Sequence, residues 1–236
     1  MSCNRSRHYI QARFDADVPE SFRPFYYEGA FGFPAHPVIT DEEPGYIKMY
    51  NWGLIPGWVK DPAQADTIRR QTINARSDTI FEKPSFRSSI MVRRCLVIAD
   101  GFFEWQEFGG KKYPYYVHLK NSEAFAIAGI WDGWTSGGEE TRTFTLITTE
   151  ANLLMARIHN TKKRMPALLR RDDEKVWLEK GLSRDEISAM LAPYDESLME
   201  AYTVSKLVTS KQERNVPEVI KPFDYPELRG VKASFF

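Results

Sequence analysis

Arg94-Cys95-Leu96-Val97-Ile98-Ala99, then Asp100-Gly101, then Phe102-Phe103-Glu104-Trp105-Gln106, and beyond Gly109-Gly110 Tyr115-Tyr116-Val117-His118-Leu119, read as three short strands in succession. Each run is β-branched or aromatic and is bounded by turn residues. Gly109-Gly110 suits a hairpin, because glycine accepts the positive φ that tight turns require. Outward from this stretch, residues 48–54, 125–130 and 143–148 have the same character, with Gly137-Gly138 in a longer polar loop ahead of the last. Helical segments follow. Residues 151–158 place Leu154 and Ile158 four apart on one face, residues 172–178 read as a second helix, and the capping box Ser183-Arg184-Asp185-Glu186 opens a third that ends by Pro193. Residues 79–82 suggest one further helical turn. Strands joined mostly by hairpins, with helices outside them, predict an α+β fold with an antiparallel or mixed β core flanked by helices.

The 236 residues are 42% hydrophobic and 27% charged, as in an ordinary globular protein. No Gly/Ser-rich or Pro-rich linker and no repeat divides them, so one domain over 1–236 is expected. No apolar run approaches the ~20 residues that span a bilayer, and the polar start Met1-Ser2-Cys3-Asn4-Arg5 lacks a secretory signal, which points to a cytoplasmic protein. Two cysteines cannot form a disulfide framework. Cys95 lies in a strand-like run and reads as core, whereas Cys3 lies in a polar segment with no packing reason to be there. Four scattered histidines without paired spacing argue against a metal site, and nothing calls for a cofactor. The 32 basic and 32 acidic residues cancel, which disfavours a protein that wraps long duplex nucleic acid. The positives are clustered at Arg69-Arg70, Arg93-Arg94, Lys111-Lys112, Lys162-Lys163-Arg164 and Arg170-Arg171, as solvated surface or as a local basic groove. Trp58 and Tyr113 stand in loop-like surroundings, where an aromatic can stack on unpaired bases or simply pack.

Three residues supply reactive chemistry within apolar frames, an amide at Asn74, a carboxyl at Glu104 and an imidazole at His159, and a thiol at Cys3 near the chain's start completes the set. A carboxyl among Phe103 and Trp105 tends toward a raised pKa, because desolvation disfavours its charged form, and it can then act as a general acid. Each has a bland alternative. Glu104 can be a solvent-facing strand residue, His159 a helix-terminal cap, and Asn74 a turn residue.

Five segments together resemble the SRAP family, the SOS response-associated peptidases that process abasic sites in single-stranded DNA. They are Asn51-Trp52-Gly53-Leu54-Ile55-Pro56-Gly57-Trp58; Ile73-Asn74-Ala75-Arg76-Ser77-Asp78-Thr79; Arg94 to Trp105; Ile158-His159 with Arg164-Met165-Pro166-Ala167-Leu168-Leu169; and Val204-Ser205-Lys206 with Asn215 and Pro217. They occur in the family's order from residue 3 to about residue 220.

The resemblance implies a monomer acting on single-stranded DNA that contains abasic sites. It assigns Cys3, once made N-terminal, as the nucleophile that closes a thiazolidine ring on the aldehyde of the opened sugar, with autoproteolysis exposing that cysteine. Asn74 is then expected to position the terminus, Glu104 to move protons, and His159 to serve the sugar hydroxyl and reversal of the crosslink. Arg5, Arg76 and Arg164 are expected on phosphates and Trp58 against a base. Three departures stand out. Ser2 precedes Cys3. The His159 to Arg164 spacing is longer than the family's. Residues 25–32 lack the family's Tyr-Asn-x-x-Pro segment, which argues against a DNA wedge there. A non-catalytic single-stranded DNA-binding module is the alternative function. A hydrolase using Cys95 and His159 is disfavoured by the buried character of Cys95.

Overall fold

In the computed structural model, which describes residues 1–229, two sheets carry the fold. Residues 230–236 of the expected domain lie outside those described. The strands are β1 Ala35–Thr40, β2 Ile47–Trp52, β3 Asn74–Arg76, β4 Arg94–Ala99, β5 Phe102–Phe108, β6 Lys111–Leu119, β7 Phe125–Ser136, β8 Glu139–Glu150, β9 Arg164–Pro166 and β10 Met199–Thr203. The helices are α1 Arg7–Phe14, α2 Pro62–Gln71, α3 Ser89–Val92, α4 Leu153–Ile158, α5 Asp173–Trp177 and α6 Arg184–Met190. The larger sheet runs β2-β1-β4-β7-β8-β3 with β9 on β8, and a parallel β2–β8 pairing joins the path back on itself. The smaller runs β10-β6-β5. The pairings are mostly antiparallel, as expected, and the β2–β8 and β3–β8 pairs make the sheet mixed.

Strand β4 explains why its sequence is apolar without alternation. Leu96 and Ile98 enter one buried cluster with Ile10, Ile39 and Trp177, while Cys95, Val97 and Ala99 enter another with Val38, Trp131 and Phe144. Both faces of the strand are covered, and residues 95–99 are accordingly all apolar. Its first residue, Arg94, is fully buried and was counted among the basic clusters; it is structural. Its guanidinium donates to the carbonyls of Ile90, Met91, Trp177 and Glu179, tying α3 and the end of α5 to the sheet.

Gly109 and Gly110 adopt φ of 56° and 72° and turn β5 into β6, as anticipated. Gly137 and Gly138 do the same between β7 and β8, at 59° and 88°, instead of lying in a longer loop. The polar residues on either side continue the ladder, because exposed strand ends need no apolar side chains to stay paired. Asn152 caps α4 through Met155 N–H, and the Ser183–Glu186 capping box is present. Residues 79–82 form the single turn expected, closed by Lys83 N–H on the Thr79 carbonyl at 3.1 Å, and it does not extend into a longer helix. Tyr113 is buried within β6 and not in a loop.

Candidate active site

Most of the residues lining one pocket of about 500 Å³ come from four places in the chain that the strands draw together. Asn74 and Arg76 are two apart on β3 and therefore share a face, with Ala75 buried between them. Glu104 and Trp105 come from β5, His159 and Arg164 from the end of α4 and the start of β9, and Met1, Tyr27, Glu28 and Phe31 from the N-terminal segment. Thr148 on β8 sits between β3 and β9, in register with Arg76 on one side and Pro166 on the other. That junction places both arginines at the rim.

The longer His159 to Arg164 spacing is absorbed locally. Lys163 N–H returns to the His159 carbonyl at 2.8 Å, with Lys163 at a φ of 49°. Asn160 clamps the turn to β5 from both ends of its amide, accepting from Glu107 N–H at 3.0 Å and donating to Glu107 O at 2.8 Å. His159 Nδ1 lies 2.9 Å from the Arg164 carbonyl, which can only accept, so Nδ1 carries the proton and Nε2 is left for the pocket. Glu104 Oε2 stands 3.7 Å from Nδ1. Desolvation pushes the Glu104 carboxyl up, opposed mainly by His159.

The amino end of the chain threads into the same chamber. The Met1 amine donates to the Glu28 carbonyl at 2.7 Å and Glu28 N–H donates back to Met1 O at 2.8 Å. Burial pulls this amine down to about 6, against the opposite pull of Glu28, Asp100 and Glu104. Ser2 N–H donates to Gly101 O, and its hydroxyl lies 2.6 Å from Asp100 Oδ1 and 2.8 Å from the Tyr116 hydroxyl. Gly101 leaves room for that Tyr116 hydroxyl, since a Cβ there would fall 2.1 Å from its oxygen.

Three expected site residues are elsewhere. Cys3 pairs with Phe25 in a β-bridge and is wholly buried among Ile10, Phe22 and Phe25, with its thiol pushed well up by burial. Its neighbours in sequence are polar, but tertiary packing supplies an apolar cluster, so it is not the pocket-facing residue of the terminus. Arg5 donates to the Ser122 carbonyl and stacks over Tyr9, held outside the pocket by that contact. Trp58 is half exposed on the loop after Gly57 and does not line the chamber. Conversely, residues 27–31 reach the pocket despite lacking the family segment, and Phe31 is 76% exposed beside it. Glu28 had no sequence signal, since its partner His36 is eight residues away in another element.

The family model of the SOS response associated peptidases matches residues 1–211. The chain belongs to the SRAP family. It is 42% identical over 187 residues to abasic site processing protein YoqW of Bacillus subtilis, covering 78% of this chain and 80% of that protein. It is 32% identical over 220 residues to abasic site processing protein HMCES of Gallus gallus, spanning 83% of this chain and 63% of the relative. A Bacteroides thetaiotaomicron protein of known crystal structure superposes with a TM-score of 0.89 at 40% identity, over 94% of this chain and 98% of that one. The α+β architecture is thus that of a solved SRAP-like structure. Three of the matched SRAP segments, at 73–76, 102–105 and 158–166, border this pocket, while the start of the Arg94 segment serves the core and the segment from Val204 to Pro217 lies elsewhere. Among the described residues no group of three or more His, Cys, Asp or Glu could hold a metal ion, and no helix is long and apolar enough to cross a membrane.

Proposed function

We propose that this chain processes abasic sites in single-stranded DNA by covalent capture of the opened sugar. The observation that carries the reading is a buried terminal amine, shifted to about 6, in the same pocket as Asn74, Glu104 and His159. The relatives' names, abasic site processing protein, point to the same substrate. The opened sugar ends in an aldehyde. A neutral amine adds its lone pair to that carbon, the carbonyl oxygen takes a proton, and loss of water leaves an imine. Glu104, with its raised pKa, supplies the proton to the departing oxygen. His159 Nε2 is available to the sugar hydroxyl, and Asn74 to orient the reacting end. Arg76 and Arg164 grip flanking phosphates as guanidinium forks, and exposed Phe31 with half-buried Trp105 gives unpaired bases a surface to stack on.

Which residue leads the chain decides the product. With Met1 in place the adduct is an imine alone. Loss of Met1 passes the amine to Ser2. Loss of both puts amine and thiol on adjacent carbons of Cys3, and the thiol then adds to the imine carbon to close a thiazolidine. That last product requires the first residues to leave the contacts with Phe25, Glu28 and Gly101. The test is intact mass before and after incubation with abasic single-stranded DNA, with and without borohydride. An adduct trapped only by borohydride identifies the imine, and a heat-stable adduct without it identifies the thiazolidine. Tight binding with neither adduct means that the chain is a non-catalytic binder.

A further inference from the structure

The two guanidinium groups at the pocket rim already hold an anion. Arg76 places Nε 3.0 Å from one Asp78 oxygen and Nη2 on the other. Arg164 approaches the same carboxylate through Nη1 at 3.7 Å. Its other two nitrogens are committed to Thr148, Nε to the hydroxyl at 3.2 Å and Nη2 to the carbonyl at 2.6 Å. Nη1 is thus the nitrogen that Arg164 has left for an anion. Both arginines line the pocket and Asp78 does not.

Two like charges converging on one carboxylate make a seat for an oxyanion, and a phosphodiester presents a similar pair of oxygens to a guanidinium fork. The Arg76 edge that can bind two oxygens at once, Nε with Nη2, is the edge Asp78 occupies. The pair is loosely held, since 59% of the Arg76 side chain and 48% of the Asp78 side chain are exposed and water screens them.

We propose that Asp78 is an internal substitute for a backbone phosphate of the bound strand, released from the Arg76–Arg164 seat when that phosphate arrives. This rests on the nucleic-acid reading given above. The exchange lowers affinity for every strand held by phosphate contacts alone. An abasic strand is retained additionally by its covalent bond, so Asp78 favours lesions over intact DNA.

The test is fluorescence anisotropy with an intact single-stranded oligonucleotide, which forms no adduct, over a range of salt. Asp78→Asn should bind about 1.5- to fivefold more tightly at low salt, the range expected for removing an exposed competing charge. Asp78→Glu should remain near the wild type, and Arg76→Ala should weaken binding. Asp78→Ser is a second neutral variant, and thermal melts confirm that each chain is folded. Unchanged or weaker binding by both neutral variants, with Arg76→Ala still weakening, overturns the role of Asp78 and leaves the strand-binding reading intact. If Arg76→Ala has no effect either, the strand-binding reading falls and this proposal with it.

Discussion

Glu104 and His159 stand 3.7 Å apart with about a fifth of each side chain exposed, whereas Glu28 and His36 are in direct hydrogen-bond contact with the imidazole fully buried. Both pairs border the same pocket through their carboxylates. His36 Nε2 lies 2.9 Å from the Ile98 carbonyl, an acceptor only, so that nitrogen bears a proton and Nδ1 faces the Glu28 carboxyl. Counting donors and acceptors leaves one more proton for Nδ1 and Glu28 to share. Enclosed by Phe25, Trp52 and Phe144, this imidazole has no route to substrate. The pair's evident work is to hold Glu28, and through it Met1, in place. His159 instead uses Nδ1 on the Arg164 carbonyl and keeps Nε2 for the chamber. The same two residue types make a fastening where they are sealed; where they border the open pocket they form the acid/base pair of the function proposed above.

The sharpest way to break this contrast is Glu104→Gln. The adduct-forming rate should fall about 10²–10⁴-fold, the usual contribution of a general acid. Noncovalent affinity for intact strands and the denaturation midpoint should stay near the wild type. Equal losses of rate and affinity would make Glu104 a structural residue.

Glu28→Leu should do the reverse in kind. Removing one partner of a buried pair typically costs about 3–5 kcal/mol, read by chemical denaturation. The double variant Glu28→Leu/His36→Leu should recover part of that loss, since no polar group is then left unpaired. A Glu28→Leu chain as stable as the wild type would refute the fastening.

The pH profile separates the two pairs at no mutational cost. The amine must be neutral to attack, so the rate falls as pH drops through about 6. Glu104 must be protonated, so the rate falls again as pH rises through its raised value. A bell is expected from borohydride-trapped adduct against pH, and Glu104→Gln should remove its alkaline limb. A rate that only rises with pH would exclude Glu104 as the acid.

The smallest effect belongs to Asn160→Ala. It deletes two hydrogen bonds between the His159 turn and β5, worth roughly 1 kcal/mol each at most in so exposed a place. The rate should drop several-fold through looser placement of His159, with Asn160→Asp recovering only the bond that accepts from Glu107 N–H. An unaltered rate would show that α4 alone places His159.

Local chemistry made much of this molecule legible. The apolar run at 94–99, the glycine pair at 109–110 and the capping box at 183–186 each act over a few residues, so strand, turn and helix start can be read directly. Asn74, Glu104 and His159 stand out because polar residues within strongly patterned segments are conspicuous, and all three line one pocket. Half-exposed Trp58 simply lies outside the pocket, whereas Cys3 and Arg5 lie away from it for one shared reason. A side chain's environment is set by partners distant in sequence, Phe25 for Cys3 and Ser122 for Arg5, and the adjacent residues carry no record of them. Glu28 and His36 escaped notice on the same ground, since neither has a neighbour that marks it. The amino-acid sequence by itself determined the central strands β4 to β8, the helices α4 to α6, the α+β class and the family, but not β1, β3, β9, β10 or the helices α1 to α3. Only the tertiary structure decided that Met1, which carries the chain's amine, and not Cys3 lines the pocket, because burial and charge depend on what folding brings within a few ångströms.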